Sequence, residues 1–419
     1  MKFSEYQLSD EIKLNLNRMG FTRPTDIQFK CISHIQNRED VLAIAQTGTG
    51  KTAAFAIPMI DKIQRINAKT KSRGIRALIM VPTRELSTQI CEVFEQIGKG
   101  TGVKTLNIYG GVEQQPQIAK LLKGVDVLVS TPGRMFDLIH QGYVKLELVE
   151  TLVLDEADHM LDLGFNKDIQ DVLRFLPKRR QTLFFSATID KEIKKLAYAL
   201  VRNAIRIQIS PKDPVSKNIT HQVLFVKMDD KRFFLQRLIK ENENLKFLVF
   251  VRTKVRAERV KAAMERLEVS SETIHGDKDQ KERERTLAKF KTGKNLVLIA
   301  TDVSARGIDI PHVDYVVNYD LPDKPENYVH RIGRTGRGRN KGLALSFCSP
   351  EEKSYLKLIE ELVSSPISQA KVTKAQYAET LSFSESVEIE DENEDDWRSL
   401  MVEEEKPWTG KKRKKRDRS

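Results

Sequence analysis

The stretch "VLAIAQTGTGKTAAFAIPMIDKI", residues 41–63, joins an apolar run, a glycine-rich loop and a segment of helical composition. The run "VLAIA" reads as a buried strand, and the loop after it ends in Gly50, Lys51 and Thr52. Such a loop between strand and helix wraps phosphates with its backbone N–H groups, sets a lysine on the outer phosphates and offers a hydroxyl to Mg²⁺. Ala45, Gln46, Thr47, Gly48, Thr49, Gly50, Lys51 and Thr52 form the candidate cradle, with Ala45 where the usual pattern has its first glycine. A bare G-K-T arises often by chance. Strand before and helix after make a nucleoside triphosphate the implied ligand.

Outward from this unit, strand-like runs alternate with helix-like segments: "ALIMVP" from 77, "VDVLVSTP" from 125, "TLVLDEAD" from 151 and "TLFFSAT" from 182. The alternation stops at "ISPKDPVSKNI", 209–219, whose two prolines and missing apolar period suit a linker. It restarts with "HQVLFV" at 221, "KFLVFVRT" at 246, "NLVLIATD" at 295, "VDYVVNYD" at 313 and "GLALSFC" at 342. This predicts two α/β domains with parallel sheets. From about residue 370 the period fades, and the like-charge blocks "EIEDENEDD" and "KKRKKRDR" cannot bury a core, which predicts a disordered tail.

The 419 residues suffice for two or three domains, and 40% apolar composition is ordinary for a soluble protein. No segment approaches the roughly 18 unbroken apolar residues of a membrane helix, and the opening "MKFSEYQLSDEIK" lacks the core of a signal peptide, so a cytoplasmic protein without membrane contact is expected. Cys31, Cys91 and Cys348 lie far apart, and none of the seven histidines joins them at metal-ligand spacing; neither disulfides nor zinc are expected. A net charge of +12, with pI near 9.3, favours a polyanionic partner. Residues 385–405 carry −10 and 406–419 carry +7, which leaves +15 on residues 1–384.

In "VLDEADHM", 153–160, the apolar Leu152, Val153 and Leu154 lead into Asp155, Glu156 and Asp158. Alone, these acids read equally well as caps of the next helix. Beside a phosphate loop they acquire a second use. A metal-bound triphosphate needs a carboxylate at a neighbouring strand end to hold Mg²⁺ through water, and an acid to orient and deprotonate the attacking water. Asp155, which ends the strand, suits the first role with Thr52; Glu156 suits the second.

With these motifs in hand the sequence resembles a DEAD-box ATP-dependent RNA helicase, from about Phe3 to about residue 365, and bacterial members of the RhlE-like branch look most similar. The resemblance implies two tandem RecA-like domains: residues 1–209, ATP-binding with an N-terminal Q motif; a linker, 210–218; a helicase C-terminal domain, 219–368; and a disordered acidic-then-basic tail, 369–419. In "GFTRPTDIQ", 20–28, it has Gln28 reading the adenine edge with Phe21 and Arg23 flanking the ring. "SAT", Ser186, Ala187 and Thr188, would couple hydrolysis to RNA by bonding the acids, Asp158 included. In "YVHRIGRTGR", 328–337, Arg334 and Arg337 become arginine fingers on the γ-phosphate, and His330 and Arg331 couple that motif to Gly307 and Asp309 of "TDVSARGID", which close on the nucleotide. RNA contacts are implied at Pro82, Thr83 and Arg84, at Gly110 and Gly111, at Thr131, Pro132, Gly133 and Arg134, and at Arg252, Gly276, Arg283 and Thr301. Cofactors would be ATP and Mg²⁺, and the partner RNA, gripped through its backbone with little base preference.

Two other readings share these parts: a DNA-directed remodeller on the same two lobes, and an RNA clamp that binds ATP with little unwinding. The basic end could extend RNA affinity as a mobile arm, serve as a nuclear-localisation signal or simply solubilise; the tail could engage ribosomal or RNA-decay proteins, with Trp397 and Trp408 as anchors, and its acidic block could fold back and compete with RNA. That last reading has a test: deletion of residues 371–419 should change RNA affinity and its salt slope, and an unchanged slope would sink it.

Overall fold

A computed structural model of the chain describes residues 1–46, 48–70, 74–189, 191–209, 215, 218–305, 313–336 and 341–382, apart from the side chains of 303, 305 and 382. Most of the 210–218 linker and the tail from 383 onward lie outside the described residues.

The first sheet comprises β1 (Val41–Ala45), β2 (Ala77–Met80), β3 (Thr105–Ile108), β4 (Val127–Ser130), β5 (Thr151–Leu154), β6 (Gln181–Ser186) and β7 (Ile205–Ile209), in the order β3-β4-β2-β5-β6-β1-β7. The second comprises β8 (Ile219–Phe225), β9 (Phe247–Val251), β10 (Glu272–Ile274), β11 (Val297–Thr301), β12 (Tyr315–Asn318), β13 (Gly342–Cys348) and β14 (Ser368–Gln369), in the order β10-β11-β9-β12-β13-β8-β14. The strand pairings in both sheets are parallel.

Parallel sheets need crossovers, and helices on both faces bury the strands completely. In β1, Val41, Ala43 and Ala45 join one core cluster while Leu42 joins the cluster across the sheet; in β6, Leu183 and Phe185 oppose Phe184 in the same way. Two further clusters flank the second sheet. No hydrophobic cluster among the described residues runs from one domain into the other.

Apart from Gln181 of β6 and Ile219 and Thr220 of β8, the last two placed ahead of their marked run and Ile219 expected in the linker stretch, every interior strand lies within a stretch that the sequence marks as apolar. The four strands that the alternation did not mark are β3, β7, β10 and β14, which are the four sheet edges. Half-solvated edges carry mixed sequences, as "IRIQI" in β7 illustrates.

The chain also differs from expectation after residue 369, where a disordered tail was expected. Residues Lys374–Ser382 form a helix on the second domain. Tyr377 packs on Phe234 with ring centroids 4.8 Å apart and donates its hydroxyl to Asp230 Oδ2 at 2.7 Å, while Arg237 Nη1 donates to Thr380 Oγ1 at 2.8 Å. One aromatic anchor and polar bonds leave little apolar periodicity to read.

Beneath the carboxyl ends of β9, β12 and β13 lies a buried ion network. Lys231 Nζ lies 2.5 Å from Glu352 Oε2 and 2.8 Å from the Tyr319 carbonyl oxygen, and both Lys231 and Glu352 are fully buried. Glu352 also accepts from the backbone N–H groups of Leu321 and Ser349. Removing one partner strands the other charge. Glu352→Ala should cost about 3–5 kcal/mol of second-domain stability, seen as an earlier transition in urea unfolding followed by circular dichroism.

Candidate active site at the strand ends

In the first sheet β5, β6 and β1 are neighbours, so the segments that leave their carboxyl ends meet above the sheet edge, where open α/β sheets bind ligands. After β1 the chain takes Gly48 (φ +84°) and Gly50 (φ +91°) through left-handed backbone, which glycine adopts without strain, and helix Lys51–Lys69 begins at once. Lys51 is 6% exposed, and its Nζ is buried without a hydrogen-bond partner. An ammonium left so is costly, and the loop amides around it favour an anion. The half-buried Thr52 follows it on the helix, so hard oxygen donors and a stranded cation sit together, as a metal-bound triphosphate requires.

Asp155 is 2% exposed, and burial pushes its carboxyl up to about 6; Lys51 opposes the shift and Glu156 adds to it. Glu156 takes left-handed backbone (φ +51°), strain that a non-glycine residue bears only when its surroundings hold it there. Burial would raise the Glu156 carboxyl as well, but His159, Lys51 and Arg334 outweigh it and hold the group down near about 2. His159 Nδ1 lies 3.6 Å from Glu156 Oε2. Arg334 belongs to the second domain and is 4% exposed, so its charge reaches the acids across the cleft.

Asp158 Oδ2 accepts from the backbone N–H groups of Ala187 and Thr188, both at 3.1 Å, and from Thr188 Oγ1 at 3.3 Å. This tie joins the exits of β5 and β6. The Ser186 hydroxyl beside it is buried without a partner. Gln28 is committed at both ends of its amide: Oε1 accepts from Thr25 N at 2.9 Å and Nε2 donates to the Gly50 carbonyl at 3.1 Å. One N–H and one lone pair remain for a base. Phe21 packs partly buried against the first core, and Arg23 is exposed.

A second cluster gathers where the domains face each other. Thr83, after the buried Pro82, caps helix Arg84–Ile97, and Thr131 precedes helix Pro132–His140, which carries Gly133 and Arg134. Arg84 Nη1 donates to Gln280 Oε1 at 3.2 Å, and Arg283 Nη2 lies 2.7 Å from Glu85 Oε1, both contacts crossing between domains. Burial and the neighbouring Arg283 charge lower the Arg84 guanidinium, and Arg134 adds to that. Beyond Gly110, Gly111 (φ +76°) backs onto Arg84 so closely that a Cβ there would collide with the guanidinium. Arg134 Nη1 and Arg283 Nε are buried without partners. Three gathered cations, two of them with unused donors, can receive an anion such as a phosphate.

Other expected residues are engaged elsewhere. Arg252 lies 3.4 Å from Glu352 and over the Tyr355 ring, Thr301 bonds Ser304, and Gly276 is exposed after β10. Arg331 is 1% exposed and spends its guanidinium on Asp302 (2.6 and 2.7 Å), Asn318 Oδ1 and the Asp320 carbonyl, fixing helix Pro325–Ile332 to the ends of β11 and β12. His330 accepts from Arg334 Nε through its carbonyl at 3.3 Å. Thr47, Gly307, Asp309 and Arg337 lie outside the described residues. Sequence reading missed His159, Glu85, Gln280 and Asp302. Only His159, directly after the acids, carried a local signal.

Two parallel-sheet domains with a phosphate loop in the first and an arginine of the second reaching its acids define a two-lobed nucleotide triphosphatase. The family model for the DEAD/DEAH box helicase matches residues 25–196, and that for the helicase conserved C-terminal domain matches 230–339. The chain is 44% identical over 362 residues to the ATP-dependent RNA helicase CshA of Listeria monocytogenes, covering 86% of this chain and 68% of that one. It also aligns with S. cerevisiae Dbp5 bound to RNA and ADP BeF3, at 32% identity and TM-score 0.80, over 91% of this chain and 98% of that one. The chain belongs to the DEAD-box family and is an ATP-dependent RNA helicase that binds RNA. The relatives' name, CshA, gives the RhlE-like expectation no support.

A DEAD-box protein of Methanococcus jannaschii is more alike in sequence, 38% identical over 88% of this chain and 99% of that one, yet aligns at TM-score 0.51.

The raised Asp155 carboxyl carries a sign. Its proton favours the folded state below the unfolded value of 3.8, and that stability is lost as pH rises through about 6. Asp155→Asn should therefore stabilise the first domain at pH 7.5 by about 3 kcal/mol, with the gain shrinking as pH falls toward 5; thermal unfolding at the two pH values measures it.

Proposed function

We propose that the cleft between residues 1–209 and 219–368 hydrolyses ATP only when RNA and the second domain complete it. The carrying observation is the stranded Lys51 ammonium beside two buried carboxylates, with the Arg334 charge arriving from the other domain. In this reading loop residues 45–52 cradle the phosphates, Gln28 selects adenine between Phe21 and Arg23, and Gly307 and Asp309 close on the nucleotide. Glu156 accepts the proton of the attacking water; its low affinity for protons keeps it ionised at neutral pH, and His159 orients it. Arg334 and Arg337 stabilise charge on the transferring phosphoryl group. Mg²⁺, held by the Thr52 hydroxyl and by Asp155 partly through water, would neutralise phosphate charge when bound. Asp158, Ser186, Ala187 and Thr188, with His330 and Arg331, carry the state of the site to the RNA surface.

On that surface Arg84, Gly111, Arg134 and Arg283 grip the backbone of one strand in a path that a duplex cannot follow. At roughly 1.4 kcal/mol per stacked step, one closure offsets a few base pairs, so short helices are the natural substrates. Action on cellular RNA goes with a cytoplasmic location, and the tail is the place for ribosomal or RNA-decay partners.

Steady-state ATP hydrolysis tests the reading. Single-stranded RNA should stimulate turnover strongly and matched DNA should not. Glu156→Gln should abolish the stimulated rate, and Arg334→Ala should lower it by about 10³-fold with ATP binding retained. Equal stimulation by DNA, or an active Glu156→Gln variant, would overturn the assignment.

A further inference from the structure

The second domain carries a cavity of about 250 Å³ away from both clusters described above, lined by Met228, Arg232, Arg256, Arg259, Arg266 and Tyr319. Four guanidinium groups around one opening repel each other unless an anion joins them. Only Arg256 has a carboxylate partner among the described residues, Asp320 at 3.4 Å, and it also lies over the Tyr319 ring. The buried Arg232 Nε has no hydrogen-bond partner, and Arg259 and Arg266 are exposed on helix Lys254–Arg266. One acid, the exposed Asp229, stands on the rim.

The described chain ends on the helix that lines this opening. Helix Lys374–Ser382 is fastened to Asp230 through Tyr377 and to Arg237 through Thr380, so it lies along the helix that presents Arg232. That helix in turn bonds the end of Lys254–Arg266, where Gln236 donates to the Leu267 carbonyl at 3.0 Å next to Arg266. The acidic block Glu388–Asp396, seven acids in nine residues, begins six residues after Ser382. Six residues of extended chain span about 20 Å, and a tether that short holds the block at a millimolar or higher effective concentration beside the arginines.

We propose that residues 388–396 of this chain dock on the arginine pocket of their own second domain. The carboxylates meet the guanidinium groups that lack a carboxylate partner, and Ile389 or Trp397 can cover the Met228 and Tyr319 side of the opening. Docking neutralises basic surface that would otherwise attract any polyanion, so RNA is directed to the cleft between the domains rather than to the flank.

Both tryptophans of the chain, Trp397 and Trp408, lie in the tail, so selectively excited tryptophan fluorescence reports on the tail alone. In a Trp408→Phe background, acrylamide quenching of Trp397 should rise about two-fold between 50 mM and 1 M salt, as screening shortens to about 3 Å. Arg259→Glu with Arg266→Glu, at exposed positions outside the catalytic and RNA-gripping residues, should raise quenching to the high-salt level already at 50 mM; Arg259→Lys with Arg266→Lys should not. Quenching that is the same in all variants and indifferent to salt would overturn the proposal. So would protection that grows with protein concentration, since that assigns the pocket to the tail of another copy.

Discussion

A parallel sheet covered on both faces leaves one place for charge, the edge where its strands deliver their carboxyl ends. Both domains obey this constraint. In the first, Lys51, Asp155 and Glu156 stand at that edge with too few partners, and the unmet demand defines a triphosphate site. In the second, Lys231, Glu352 and Arg331 stand at the corresponding edge with their demands met internally. The same architecture thus serves as an active site in one half and as a brace in the other, and the brace holds the helix from whose end Arg334 crosses the cleft.

The nucleotide site is stitched by short bonds between motifs that are remote in sequence. Gln28 holds the phosphate loop at Gly50, and Asp158 holds the segment after β6. Movement of any one is therefore felt by its neighbours. The Arg84–Gln280 and Arg283–Glu85 pairs lie where cations of both domains gather, so the basic cluster is built from both domains at once.

Interior strands and the phosphate loop were legible because each is written in one continuous segment: an unbroken apolar run, or a loop whose glycines announce its backbone. The edges β3, β7, β10 and β14 were not, since half-solvated strands need no such run. Glu85, Gln280 and Asp302 escaped for a different reason. Their importance comes from partners roughly 30 to 200 positions away, and only the fold brings them together. Arg331 shows the converse: its motif placed it with the coupling residues, and only the structure reveals a guanidinium spent on Asp302, Asn318 and Asp320.

The absence of a shared hydrophobic cluster between the domains, among the described residues, has a thermal consequence. Contacts such as Arg283–Glu85 and Lys324–Asp162 exchange bonds to water for bonds to protein, and they bury little hydrocarbon. Heat-capacity change tracks apolar area, so parting and rejoining the lobes leaves heat capacity nearly constant. Each core would soften on cooling as apolar burial weakens, but the polar contacts between the cores would keep their balance, set by ions and ligand rather than by temperature.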